Sequence, residues 1–205
     1  MTNTSPLSTD AKNYLCCFYQ ILDEMTQGVT AASLTHSISH NFIVQMIPHH
    51  RAAVRMSDNI LRFADNQAVR RLAQRISEEQ AQGIAELEAM LSICTQQTNP
   101  QLDLRLYQRR MDLIFREMFA SMGSAPENNR LSAIYLQEML PHHRGAVRMA
   151  ENTLKYDVCL ELVPPLRHII RRQCRQIGQM QALLGRMGCQ RTNRTGCQAT
   201  GCQAT

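Results

Sequence analysis

The sequence predicts an all-α protein, an internally duplicated four-helix bundle with two additional leading helices. Three observations predict it: helical periodicity of the apolar residues, a core of Leu, Ile and Met, and a repeat at a fixed offset. Trp is absent and aromatic residues make up 5 %, whereas Met occurs 12 times. This composition suits helices better than aromatic-rich strands. No segment alternates with a period of two, so no strand is predicted.

The repeat relates positions that are 93 residues apart. MIPHHRAAVRM, residues 46–56, falls on MLPHHRGAVRM, residues 139–149, and nine of the eleven positions are identical. The same offset extends the alignment without a gap to two units, about 14–91 and 107–184. Such self-similarity indicates one duplicated supersecondary unit. Because each unit alone has too little apolar surface to close a core, residues 1–187 are expected to form a single domain.

Each unit is predicted to form three helices. Ser8 is a candidate cap for the first helix, and Gly28 is expected to end it in a left-handed conformation. In chain order the predicted helices are about 9–27, 33–62, 67–93, 101–122, 127–156 and 165–186. The second and third helices of both units are expected to form a four-helix core of the ferritin-like type, with the two leading helices packed across it.

The remaining composition restricts the classes of partner. The net charge of +5 comes almost wholly from arginines scattered along helices, so no nucleic-acid interface is predicted. The N-terminus has no signal-peptide pattern and no apolar run approaches the roughly 20 residues of a membrane span, so a cytoplasmic protein without membrane contact is expected.

The eight cysteines are expected to be mostly reduced thiols. The chain is too long to need disulfides for stability, and adjacent cysteines such as Cys16 and Cys17 have a poor geometry for a mutual bridge. Residues 188–205 repeat Gly-Cys-Gln, and their composition predicts a disordered, Cys-containing tail.

The repeated motif places two histidines beside two methionines on each middle helix. At about 100° per residue, the first His and both Met of a motif point to nearly the same side, and the second His is turned by about 100°. Imidazole and thioether are together the ligand set of copper. The candidate metal ligands are Met46, His49, His50, Met56, Met139, His142, His143 and Met149. Gln80 and Gln173, on the opposing helices, are candidates to hydrogen-bond these imidazoles.

Three functions are compatible with this motif. The favoured one is a metal-binding protein of copper homeostasis with a copper ion as cofactor. Burying four imidazoles costs more free energy than burying apolar side chains of similar size, so a core role alone does not account for them. The alternative is a structural or oligomerising helical module whose histidines hydrogen-bond in the core, and Met at helical spacing fits it well. The third is a metal-dependent redox enzyme, although an enzyme is less favoured. Assembly into a homo-oligomer is compatible with each.

The motif resembles the domain of unknown function 305 family. The resemblance rests on the paired M-x-P-H-H-x-x-A-x-x-M segments, each followed by an I-x-x-x-Q-x-x-x-I-x-x-M/L helix, and on the leading helix with Met118 and Met122. It implies a ferritin-like bundle with a role in handling metal, chiefly copper, through the same eight residues. The sequence departs from the family pattern at Arg51 and Arg144, where Gln or Glu is frequent. A cation beside the imidazoles opposes a bound metal unless it points away.

Overall fold

The computed structural model describes residues 6–94 and 96–189, which form six α-helices and no strand. The helices are α1 (Thr9–Thr30), α2 (Ile38–Leu61), α3 (Gln67–Cys94), α4 (Gln101–Ser121), α5 (Leu131–Thr153) and α6 (Val163–Cys189), and a 3₁₀ turn at Leu160–Leu162 precedes α6. The predicted all-α class is confirmed. Of the predicted disordered tail, residues 190–205 lie outside the described residues, and Gly188 and Cys189 are the last residues of α6.

The second helix begins five residues later than predicted, at Ile38 instead of 33. Ser37 is its N-cap, and the Ser37 hydroxyl accepts a hydrogen bond from the backbone N–H of His40 at 3.2 Å. The preceding residues form a loop held by Asn41, whose side chain bonds to both the N–H and the carbonyl of Thr35. These side-chain bonds replace the helical ones that the periodicity predicted.

Gly28 does not end α1, which continues to Thr30. It lies instead where α1 crosses α2, because a Cβ at this position would be 2.7 Å from the Cβ of Pro48. Glycine therefore permits a close approach of the two helices. The left-handed glycine in the described part of the chain is Gly123, with φ of 78°, directly after the last turn of α4.

The motif helices α2 and α5 lie against each other at the centre. The helix α2 also packs on α1 and α3, α5 also packs on α4 and α6, and α3 packs on α6. The helices α2, α3, α6 and α5 thus surround one hydrophobic core, with α1 and α4 against the motif helices. The ferritin-like arrangement stays a prediction. No helix in the described ranges combines the length and the apolar character that a membrane span requires.

Equivalent contacts occur in the two halves. The buried side chain of Asn59 donates to the backbone carbonyl of Tyr14 at 3.0 Å, and that of Asn152 donates to the carbonyl of Tyr107 at 3.3 Å. Each bond joins a motif helix to the leading helix of its own half. These pairs are related by the same offset as the motif, whereas the duplication itself is inferred from the sequence.

The expectation of mostly reduced thiols is wrong for two cysteines. Cys94, at the end of α3, and Cys159, directly before the 3₁₀ turn, form a disulfide across 65 residues. The two segments meet because α3 packs against the 3₁₀ turn, a long-range contact that the spacing of the cysteines does not reveal. Among the other cysteines with described side chains, Cys16 and Cys174 are exposed free thiols and Cys17 is a partly buried one.

Candidate metal centre

The four motif histidines meet where α2 contacts α5. Each is at most 2 % exposed. The rings of His49 and His142 are stacked, with centroids 3.7 Å apart and planes inclined by 29°. His50 lies 6.1 Å from His49, and His143 lies 5.7 Å from His142, between ring centroids. We call these four residues the histidine cluster.

The four motif methionines are also in the interior. Met46, Met139 and Met149 are fully buried, and Met56 is 2 % exposed. Met46 precedes His49 by three residues, a spacing that places two side chains on the same face of a helix. All four belong to the hydrophobic core. The structure thus brings the predicted imidazoles together and buries the predicted thioethers in the surrounding core.

Hydrogen bonds fix two of the four rings. Nε2 of His142 lies 3.1 Å from the backbone carbonyl oxygen of His49, and because a carbonyl only accepts, Nε2 donates. Nε2 of His143 lies 2.8 Å from Oε1 of Gln176, whose amide nitrogen donates to the Glu79 carboxylate at 3.0 Å. The carboxylate fixes which end of the Gln176 amide faces the ring, so Nε2 of His143 also carries the proton. Both rings therefore present Nδ1 as a lone pair.

Five ring nitrogens of the cluster have no hydrogen-bond partner among the described residues. They are both nitrogens of His49 and Nδ1 of His50, His142 and His143. A buried polar atom left unpaired costs about 1–3 kcal/mol, and native interiors contain few of them. Five of the eight ring nitrogens therefore make no hydrogen bond to the described part of the chain.

Burial keeps the cluster uncharged. Removal from water is the largest cause of lowered pKa for all four imidazoles: the pKa of His50 falls to about 3 and that of His143 to about 4. The pKa values of His49 and His142 also lie well below the ordinary value, because burial and the neighbouring imidazoles oppose a second positive charge. All four rings are neutral at pH 7, which is the form that binds metals.

The glutamine partners differ from the prediction. Gln176, and not Gln173, bonds to the ring of His143. The Oε1 atoms of Gln80 and Gln173 are buried without a hydrogen-bond partner. Gln176 follows Gln173 by three residues on the same face of α6, so the periodicity that selected Gln173 allowed either residue.

The two motif arginines point away from the cluster. Arg51 is exposed and forms an ion pair with Glu88 at 2.9 Å, and Arg144 is exposed as well. Their charges therefore lie in water, where they have little influence on the buried imidazoles.

The cluster does not form a preformed metal site of three or more charged or imidazole ligands. Within residues 6–94 and 96–189, no three His, Cys, Asp or Glu side chains are arranged to hold a metal ion. In the stack of His49 and His142, the lone pairs of the two rings lie in nearly parallel planes and do not converge on one point. Coordination by both rings would require at least one of them to rotate.

Comparisons with known proteins agree with the helical architecture. The family model described as Domain of unknown function (DUF305) matches residues 39–184, and a second match covers residues 132–202. The chain is similar to the structure described as "Crystal structure of DUF305 fragment from Deinococcus radiodurans", with a TM-score of 0.54 and 26 % sequence identity. That similarity covers 76 % of this chain and 98 % of the fragment. No curated protein matches the chain.

Proposed function

The chain belongs to the DUF305 family, and we propose that it binds a copper ion through the histidine cluster together with the motif methionines. One observation carries the proposal: four neutral imidazoles from both halves are buried side by side, and five of their nitrogens have no partner. A buried set of unpaired nitrogens is unfavourable in the isolated fold. A bound ion would accept one nitrogen lone pair from each ring that coordinates it.

The chemistry of the donors favours copper over hard cations. Neutral imidazole accepts copper in either oxidation state, and thioether sulfur favours Cu(I). Magnesium and calcium prefer carboxylate and carbonyl oxygens, which the motif does not supply. Since Nε2 of His142 and His143 is engaged in hydrogen bonds, Nδ1 of these two rings would be the donor atom. Glu79 and Gln176 would then orient His143 for this role.

A second candidate is a structural helical module. The bonds from His142 to the His49 carbonyl and from His143 to Gln176, with the stacked rings, join α2, α5 and α6. These contacts stabilise the bundle without a metal. This candidate explains the two bonded Nε2 atoms, whereas copper binding would also engage the unpaired Nδ1 atoms and one of the two unpaired nitrogens of His49.

Copper titration against a competing chelator, with the thiols alkylated, tests the proposal. Alkylation matters because free Cys would capture Cu(I) by itself. We expect copper to bind far more tightly than magnesium or calcium. Changing His49, His50, His142 and His143 together to Gln should weaken copper binding by more than about 100-fold, since loss of residues that merely support ligands costs 10–100-fold.

Two single variants keep this test interpretable if the fourfold variant does not fold. His49→Gln removes a ring whose nitrogens have no hydrogen bonds, and it should weaken copper binding. His36→Gln, at an exposed position in the loop before α2, is the matched control and should not. Equal copper affinity in the folded His49 variant, the His36 variant and the wild type would favour the structural module.

The cytoplasmic location and the homo-oligomer stay predictions. The Cys94–Cys159 disulfide bears on the first of them, because such bonds persist mainly in oxidising compartments. Trapping the thiols with an alkylating agent in intact cells would decide between a reduced cytoplasmic pair and an oxidised one.

A further inference from the structure

The two halves differ beside the second histidine of each motif. In the second half, Gln176 lies next to His143 and binds its Nε2. The offset of the repeat places Gly83 at the equivalent position of the first half. A Cβ added to Gly83 would lie 2.9 Å from Cδ2 and 3.1 Å from Nε2 of His50. The backbone of α3 thus passes directly beside the His50 ring, without a side chain corresponding to that of Gln176.

A small cavity lies at this place, between α3 and α6. Its volume is about 20 Å³, and His50, Gly83, Gln80 and Gln173 are among the residues that line it. A cavity needs roughly 10–15 Å³ to hold one water molecule. This one therefore admits a single occupant of about the size of a water molecule or a metal ion.

The lining favours a hydrogen-bond donor or a cation as the occupant. Gln80 and Gln173, at equivalent positions of the repeat, are 4 % and 2 % exposed, and each has an Oε1 without a partner. An amide oxygen can only accept a hydrogen bond or bind a cation. Glu79 and Glu86 add two carboxylates to the lining, and Arg172 adds one positive charge. The acidic charges of the lining thus outnumber the arginine.

We infer that this cavity is the route by which a metal ion reaches the histidine cluster, with Nε2 of His50 as the coordination position that stays open to water or another small ligand. The inference rests on the proposed function and deepens it. His142 and His143 are held by hydrogen bonds and do not line the cavity, whereas His50 lines it. Gly83 is a positioning residue, since it keeps the route open without touching the metal.

The rate of copper association tests the route. Gly83→Ala places a methyl group against the His50 ring and narrows the cavity, so we expect stopped-flow association of copper to slow by about tenfold or more. The matched control is Gly178→Ala on α6, where an added Cβ meets no atom within 4 Å and the rate should stay unchanged. All three proteins are compared with their thiols alkylated.

A second measurement uses the metal-free wild type and depends on neither copper nor folding of a variant. A water-selective nuclear Overhauser spectrum should show a cross-peak between water and the Cδ2 proton of His50, and none for His143. Absence of the His50 cross-peak would overturn the access route. So would unchanged copper association in a folded Gly83→Ala variant, even if the histidine cluster binds copper. A wild type that binds no copper would contradict the proposed function instead, and the water cross-peak would still decide the accessibility of His50.

Discussion

Metal-free protein is expected to lose about 5 kcal/mol of its free energy of unfolding between pH 7.5 and pH 5.5 because of its four buried histidines. Burial holds the pKa of each ring well below that of an unfolded chain, which is about 6.5. Between these two pKa values the unfolded chain binds more protons than the folded one, so acid favours unfolding. Below about pH 6.5 each ring contributes about 1.4 kcal/mol per pH unit, so most of the loss falls between pH 6.5 and pH 5.5.

The loss begins as the pH falls below about 6.5. It continues down to about pH 4 for His143 and to about pH 3 for His50, where the folded chain also takes up the proton. A loss of about 5 kcal/mol equals the whole stability of many domains, so we expect the metal-free protein to unfold in mild acid.

Urea unfolding at the two pH values measures the effect. His50→Gln should reduce the difference between them by about 1.4 kcal/mol, because one titrating ring is removed. The control is Ser57→Ala on α2, the helix that carries His50. It loses a buried hydrogen bond to Tyr135 of α5 and should lower the stability equally at both pH values. Equal stability of the wild type at pH 7.5 and pH 5.5 would mean that the imidazoles are not buried and neutral in solution.

Replacing Cys94 and Cys159 together by Ser is expected to lower the free energy of unfolding by about 4 kcal/mol. The disulfide closes a loop of 65 residues, and a cross-link of this length removes much of the conformational freedom of the unfolded chain. It also ties the end of α3 to the segment that precedes α6, and both of these helices line the cavity beside His50.

Urea unfolding of the double variant and the oxidised wild type provides the comparison. Cys16→Ser, at an exposed free thiol, is the control and should change the stability by less than about 0.5 kcal/mol. A wild type whose stability does not change on addition of a reductant would contradict the contribution of the bond.

The helices and their buried faces could be predicted because periodicity is local. The same reasoning identified the eight motif residues, since all of them lie on two helices at short spacing. The start of α2 depends instead on a distant segment. The side-chain oxygen of Asn99 accepts a hydrogen bond from the backbone N–H of Ile38 at 2.9 Å, and the backbone N–H of Asn99 donates to the carbonyl of His36 at 2.8 Å. No periodicity within residues 33–62 contains that information.

Packing between helices accounts for the other errors. Gly28 was expected to end a helix from its residue type, yet its role depends on Pro48 of the neighbouring helix. Gln173 and Gln176 are alternatives on one face, and only the position of His143 decides between them. The pairing of Cys94 with Cys159 likewise depends on where α3 ends relative to the 3₁₀ turn.

The central claim is that copper binds at the histidine cluster, and NMR of the imidazole nitrogens tests it most directly. Cu(I) is diamagnetic, so it can be added to protein with ¹⁵N-labelled histidine and alkylated thiols without broadening the signals. We expect the Nδ1 resonances of His142 and His143 to shift while their Nε2 protons stay in place, and the methyl resonances of the motif methionines to move with them. Copper that binds without shifting any of the four imidazoles would contradict the claim, and the histidines would then be core residues that hold α2, α5 and α6 together.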